Sequence, residues 1–195
     1  MKSLITTLLL AITLSSTVFA DDLNALKALI KKGDYPAVAE LLKPLARQGE
    51  AWAQHELGVM YAVGRGVPED NKEAVKWYRL AAKQGYAIAQ YNLGNAYRTG
   101  TGVPQNAKKA MKWYLLAAEQ GQPSAQYNLG LMYANGIGVP ADKVFAYMWW
   151  NLAAANGHEN ASTGKDIITK RMTSSQIAEA QKLSRDCPKN NYKNC

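Results

Sequence analysis

AIAQYNLGNAYRTGTGVPQNAKKAMKWYLLAAEQGQ, residues 87–122, decides the fold, because the same 36-residue phrase is written three times without a gap. The copies are AWAQHELGVMYAVGRGVPEDNKEAVKWYRLAAKQGY at 51–86 and PSAQYNLGLMYANGIGVPADKVFAYMWWNLAAANGH at 123–158. The hexamer AQYNLG stands at 89–94 and 125–130, and its relative AQHELG at 53–58. A catalytic motif is needed once. A phrase repeated at a fixed period of this size is a supersecondary unit that buries its apolar face against the next copy.

Each copy reads as two helices. Ala53, Leu57 and Tyr61 recur at i, i+4 and i+8, one helical face. Gly58, Gly94 and Gly130 sit inside that helix, where glycine costs about 1 kcal/mol against alanine, so their recurrence predicts a close helix approach. The GxGVP loops at 64–68, 100–104 and 136–140 end the first helix: glycine takes the left-handed cap and proline prevents resumption. Asp70, Asn106 and Asp142 then stand where N-caps of a second helix are needed. That helix carries Ala74, Trp77, Tyr78, Ala81 and Ala82 on one face and is ended by Gly85, with Gly121 and Gly157 in the copies. Trp77, Trp113 and Trp149 are in helical register and read as core rather than as a sugar platform.

The flanks are degenerate units. Residues 34–49 align with the second helix of the first copy at the same offset, preceded by a short helix at 23–32. At the other end, 161–171 and 173–187 read as two more helices, with Thr173 and Gln176 spaced as a capping box. Atypical terminal units cover the open ends of a stack. The expected organisation is 1–20 leader, 21–50 N-terminal capping pair, repeats at 51–86, 87–122 and 123–158, and 159–195 capping helices with a cysteine-closed tail.

Residues 1–20 read as a secretory signal: Met1-Lys2, the apolar LITTLLLAITL at 4–14, and Val18 and Ala20 before the cut. No later run is apolar and long enough to span a bilayer. Without Lys2, 22 basic residues face 15 acidic ones, a net charge of +7 for 21–195. An exported protein of that charge points to acidic partners or an anionic envelope surface rather than nucleic acid. Export also makes a Cys187–Cys195 disulfide plausible, with two free thiols as the alternative. Proline at 188 is expected to end the preceding helix and let the tail fold back. His55 and His158 have no metal-ligand spacing to the cysteines, so no metal or other cofactor is expected.

The pattern AxAQxxLGxxYxxGxGVxxDxxKAxxWYxxAAxQG resembles the Sel-1-like repeat, a relative of the tetratricopeptide repeat, fully over 51–158 and loosely over 34–49 and 161–187. Pro123, Phe145 and Trp150 depart from it. The resemblance implies an all-α, right-handed superhelical solenoid of antiparallel helix pairs, acting as a non-catalytic adaptor in a periplasmic or secreted setting. First helices of such stacks line the concave side. The variable positions there predict a groove for a peptide or protein partner made by Trp52, His55, Val59, Tyr91, Asn92, Asn95, Arg98, Tyr127, Asn128 and Leu131. Amide side chains can bond an extended backbone, and Arg98 can hold a carboxylate. In the alternative, Tyr91 and Tyr127 pack between units. Lys72, Lys76, Arg79 and Lys83, partly repeated by Lys108, Lys109 and Lys112, form a basic stripe on second helices, a solvated face or a weak anchor to anionic envelope. Some exported cysteine-rich relatives are linked to β-lactam binding or weak β-lactamase activity, and Ser162-Thr-Gly-Lys165 is an SxxK. No KTG or SDN accompanies it and only one cysteine pair is present, so no enzyme is expected.

Overall fold

A computed structural model describes residues 24–190 and Tyr192. The expected leader at 1–20 and Cys195 lie outside them, and with Cys195 the expected disulfide. The described chain is helical, with no strand among its residues: α1 (24–32), α2 (Tyr35–Gln48), α3 (Ala51–Val63), α4 (Asn71–Lys83), α5 (Ala87–Thr99), α6 (Ala107–Ala118), α7 (Pro123–Asn135), α8 (Lys143–Ala155), α9 (Ala161–Thr169) and α10 (Ser174–Lys189). Each helix from α2 to α8 packs on the next in chain order, and α10 returns onto α8. The result is a right-handed superhelical stack of antiparallel pairs.

The local signals act as their chemistry requires. Asp70 accepts from the backbone N–H groups of Lys72 (2.9 Å) and Glu73 (3.0 Å), Asn106 from Lys109 (2.9 Å), and Asp142 from Val144 (2.8 Å) and Phe145 (3.1 Å). Each cap also donates its own N–H to the Tyr61, Tyr97 or Tyr133 carbonyl of the preceding helix, at 2.8–2.9 Å, which closes the loop. The second loop glycine is needed for contact as well as for its positive φ: a Cβ on Gly102 would run into the Asn71 carbonyl at the start of the preceding unit's second helix. Thr173 and Gln176 form a capping box on α10.

The helical glycines are where one helix meets a ring. A Cβ on Gly58, Gly94 or Gly130 would lie 2.8, 2.6 or 2.5 Å from Tyr78, Tyr114 or Trp150 of the same unit's second helix. Leu57, Leu93 and Leu129, one residue before, have no exposed surface, which is worth about 1.5–3 kcal/mol each. The aromatic pair departs from expectation. Trp149 is fully buried, but Trp77 and Trp113 are only half-buried at the core's edge, while Tyr78 and Tyr114 go deeper. The Gly58 and Gly94 clefts admit the residue after the tryptophan.

A buried carboxamide ladder registers the units. Gln54, Gln90 and Gln126 donate Nε2 to the Ala46, Ala82 and Ala118 carbonyls at the end of the preceding helix, at 3.0–3.1 Å. Their Oε1 atoms accept from Gln84 (2.8 Å), Gln120 (2.8 Å) and Asn156 (2.9 Å) at the end of their own unit's second helix.

Proline at 188 does not end α10 where expected. The helix runs one residue past it to Lys189, because a proline in the last turn removes a single N–H close to where the hydrogen-bond ladder stops anyway. The chain then turns at Tyr192 (φ 59°), whose N–H bonds the Cys187 carbonyl (2.9 Å) and whose hydroxyl meets Asn156 Nδ2 (3.4 Å).

Candidate functional site

The expected groove residues fall on α3, α5 and α7, and the structure divides them. At the third hexamer position His55, Tyr91 and Tyr127 each face the ring of their own second helix: Tyr78 (5.9 Å), Tyr114 (6.0 Å) and Trp150 (6.4 Å). His55 is 6% exposed, its ring also beside Tyr86 (5.4 Å). It is an interior histidine rather than a surface contact, because the next unit closes over it. Tyr127 is half-buried and stacked on His158 at 4.2 Å. Trp52 and Val59 are half-buried against the core, and Leu131 packs on the C-terminal cluster beside a cavity between α7 and α9.

Asn95 and Arg98 are brought together by Tyr114, which the sequence places on the core face. Its hydroxyl donates to Asn95 Oδ1 (2.7 Å) and accepts from Arg98 Nε (3.2 Å), with the Asn128 side chain nearby. Burial pushes the phenol up to about 12, against the opposing pull of Arg98. The ring has no exposed surface, whereas Arg98 is exposed. Arg98 spends one N–H on Tyr114, so the rest of its guanidinium fork is held in place toward solvent. The node belongs to the middle unit alone: Val59 and Ala62 replace Asn95 and Arg98 in the first unit, Leu131 and Ala134 in the third. Its signal in the sequence is that break in the repeat at α5.

Asn92 does something else. Its Nδ2 faces His55 Nε2 (3.0 Å), while His55 Nδ1 faces the Glu56 carboxylate (3.0 Å). A carboxylate only accepts, so Nδ1 carries the proton and Nε2 accepts from Asn92.

The SxxK has a structural account. Gly164 lies against Trp150, where a Cβ would come within 2.9 Å, and Lys165 turns to Asn151 Oδ1 (3.3 Å) and the Tyr147 face (6.0 Å). Ser162 is exposed on α9 and shares no hydrogen bond with Lys165 among the described residues. No group of three or more His, Cys, Asp or Glu among them could hold a metal ion, and no helix among them is long and apolar enough to cross a membrane.

The fold defines a solenoid of helical hairpins. The Sel1 repeat model matches residues 53–86, 87–122 and 123–158, more than half of the chain, and the chain belongs to the Sel1 repeat family. Proteins of this family are generally protein–protein interaction scaffolds. The structure is similar to that of a protective antigen of uropathogenic Escherichia coli with an SLR fold, at 36% identity and a TM-score of 0.73 over 80% of this chain. The chain spans only 34% of the antigen's length. It is also similar to a Sel1 repeat protein from Oxalobacter formigenes, at 42% identity and a TM-score of 0.60, covering 64% of this chain and 94% of that one. No curated protein matches.

Proposed function

We propose that this protein is an exported, non-catalytic adaptor that holds a peptide segment or partner protein along its first helices, centred on the Arg98 node. The observation that carries the reading is the singularity of that node. A residue set present once in a threefold repeat is not required by the repeat's packing. Arg98, braced by Tyr114, offers a bidentate site to an acidic side chain at little further ordering cost. The leader-like residues 1–20 support a periplasmic or secreted location, and a Cys187–Cys195 bond would suit it. The test is affinity capture from an envelope extract with wild-type protein and Arg98→Glu, read by mass spectrometry. A protein enriched by the first and lost by the second supports the adaptor reading; identical profiles remove the node as the site.

The second helices favour one further reading. Lys72, Lys83, Lys108 and Lys112 are exposed with no carboxylate partner among the described residues, whereas Lys76 is paired with Glu73. Weak attraction to anionic envelope material would follow. Binding to anionic vesicles should then fall steeply between low and physiological salt, and salt-insensitive binding rejects it.

A further inference from the structure

Tyr78 and Tyr114 are the same residue of the repeat in two different states. The Tyr114 hydroxyl has two hydrogen-bond partners, with Asn128 nearby. Tyr78 has lost both: Asn95 is replaced by Val59 and Arg98 by Ala62, while Asn92, the counterpart of Asn128, turns its NH2 to His55. The Tyr78 side chain is 8% exposed, and its hydroxyl makes no hydrogen bond among the described residues. It lines a cavity of about 200 Å³ between the first and second units.

That cavity has a definite chemistry. Its floor includes Ala74, Val75 and Ala96, its rim Asn92, Asn95 and Thr101, and none of its lining residues carries a charge. The volume exceeds that of a few waters and suits one side chain of medium size. Burial, with Glu56 adding to it, pushes the Tyr78 phenol up to about 12, so the hydroxyl keeps its proton as a donor. The Glu56–His55–Asn92 relay fixes the other half. Because Asn92 gives its NH2 to His55, its carbonyl oxygen is left as an acceptor. The Tyr78 donor and the Asn92 acceptor, set among the neutral polar side chains of Asn71, Asn95, Thr99 and Thr101 over an apolar floor, match a carboxamide. A carboxylate would find no cation here, and an ammonium no anion.

We propose that this cavity binds the carboxamide side chain of an Asn or Gln in a partner peptide, Tyr78 Oη donating to its carbonyl and Asn92 Oδ1 accepting from its NH2. The proposal rests on the reading of the first-helix face as a partner surface, and adds a neutral subsite one unit before the Arg98 node. The stack uses the same chemistry internally, where each buried glutamine is completed by a second carboxamide.

The test is an NMR titration of the full chain with N-acetyl-glutamine methylamide, following the Asn92 and Asn95 side-chain amides. The glutamate and leucine analogues serve as comparators. Saturable shifts are expected with the glutamine probe, roughly tenfold weaker binding of the other two, and a similar loss in Tyr78→Phe. Equal binding of the leucine analogue, unchanged binding in Tyr78→Phe, or no saturable shift overturns the proposal. Tyr78→Phe should fold with undiminished thermal stability, since no internal bond is lost. If it is destabilised as much as Tyr114→Phe, Tyr78 is a structural residue and the proposal falls. The two readings fail separately: a client lost with Arg98→Glu but kept by Tyr78→Phe sinks the cavity alone. A client kept by Arg98→Glu sinks the node, while the probe titration still judges the cavity.

Discussion

Gly94→Ala should destabilise the protein, although in an unobstructed helix interior it would stabilise by about 1 kcal/mol. The new methyl would sit 2.6 Å from two ring carbons of Tyr114, against an ordinary carbon–carbon contact of about 3.5–4.0 Å. Relief of roughly 1 Å must come from the ring or the backbone. The ring cannot swing freely: it has no exposed surface, and its hydroxyl is tied to Asn95 and Arg98. Overpacking of this kind costs about 1–3 kcal/mol, and each hydroxyl bond disturbed about 1 more. With the propensity gain subtracted, the net loss is about 2 kcal/mol, or roughly 4–8 °C in melting temperature for a chain of this size. Circular dichroism at 222 nm measures it. The decisive comparison is Gly94→Ala in a Tyr114→Ala background, where the methyl has space and should be neutral or stabilising. A rise in melting temperature for the single variant, or an equal loss in both backgrounds, would refute the reasoning.

Other outcomes follow from the same contacts. Gln126→Leu leaves the buried Ala118 carbonyl without its partner and the Asn156 amide with only the longer Tyr192 contact, and should cost about 1–3 kcal/mol by urea unfolding, whereas Gln181→Leu on the exposed face of α10 should be near neutral. Tyr78 and Tyr114 have folded pKa values raised to about 12 from 10. Between those values the folded state therefore holds more protons than the unfolded one. Stability should be insensitive to these groups below pH 10 and fall as pH rises toward 12, and Tyr114→Phe should flatten that decline. Alkylation of the unfolded, unreduced chain should leave both cysteines unlabelled, and reduction should lower stability by ~2.5 kcal/mol in the chain-entropy model; two labelled thiols without reductant reject the bond.

The elements read correctly from sequence are those decided within a few residues. Asp70, Asn106 and Asp142 cap because their side chains reach backbone two or three positions on, and the loop glycines turn because of their own φ. Gly58 and its copies announced a close approach, but not to what, since the answering ring lies 20 residues away. Two adjacent aromatics on one helix differ by only 100° in direction, which periodicity alone does not resolve when both are large. That is why the sequence places Trp77 and Tyr78 on one face without ranking their depth. His55 looked like a variable groove position because a single unit leaves it open; Tyr86 and Asn92, which cover it, belong to the junction with the next. The Tyr114 node has the same origin: its partners come from α5, the helix before its own, 16 and 19 residues back.

The carboxamide ladder also bears on how such a chain grows. Each rung joins the end of one unit to the start and end of the next through a pair of carboxamides at the same spacing, asparagine replacing glutamine only in the last, so the ladder itself carries no memory of its place in the array. Duplicating 87–122 would add one junction with its rung filled in the same way, whereas an insertion within a helix that shifted the glutamine against the preceding carbonyl would leave that carbonyl without its partner. The molecule is in this sense measured in whole units. Lengthening leaves the old surface intact and sets a second Arg98 node beside the first, free to diverge.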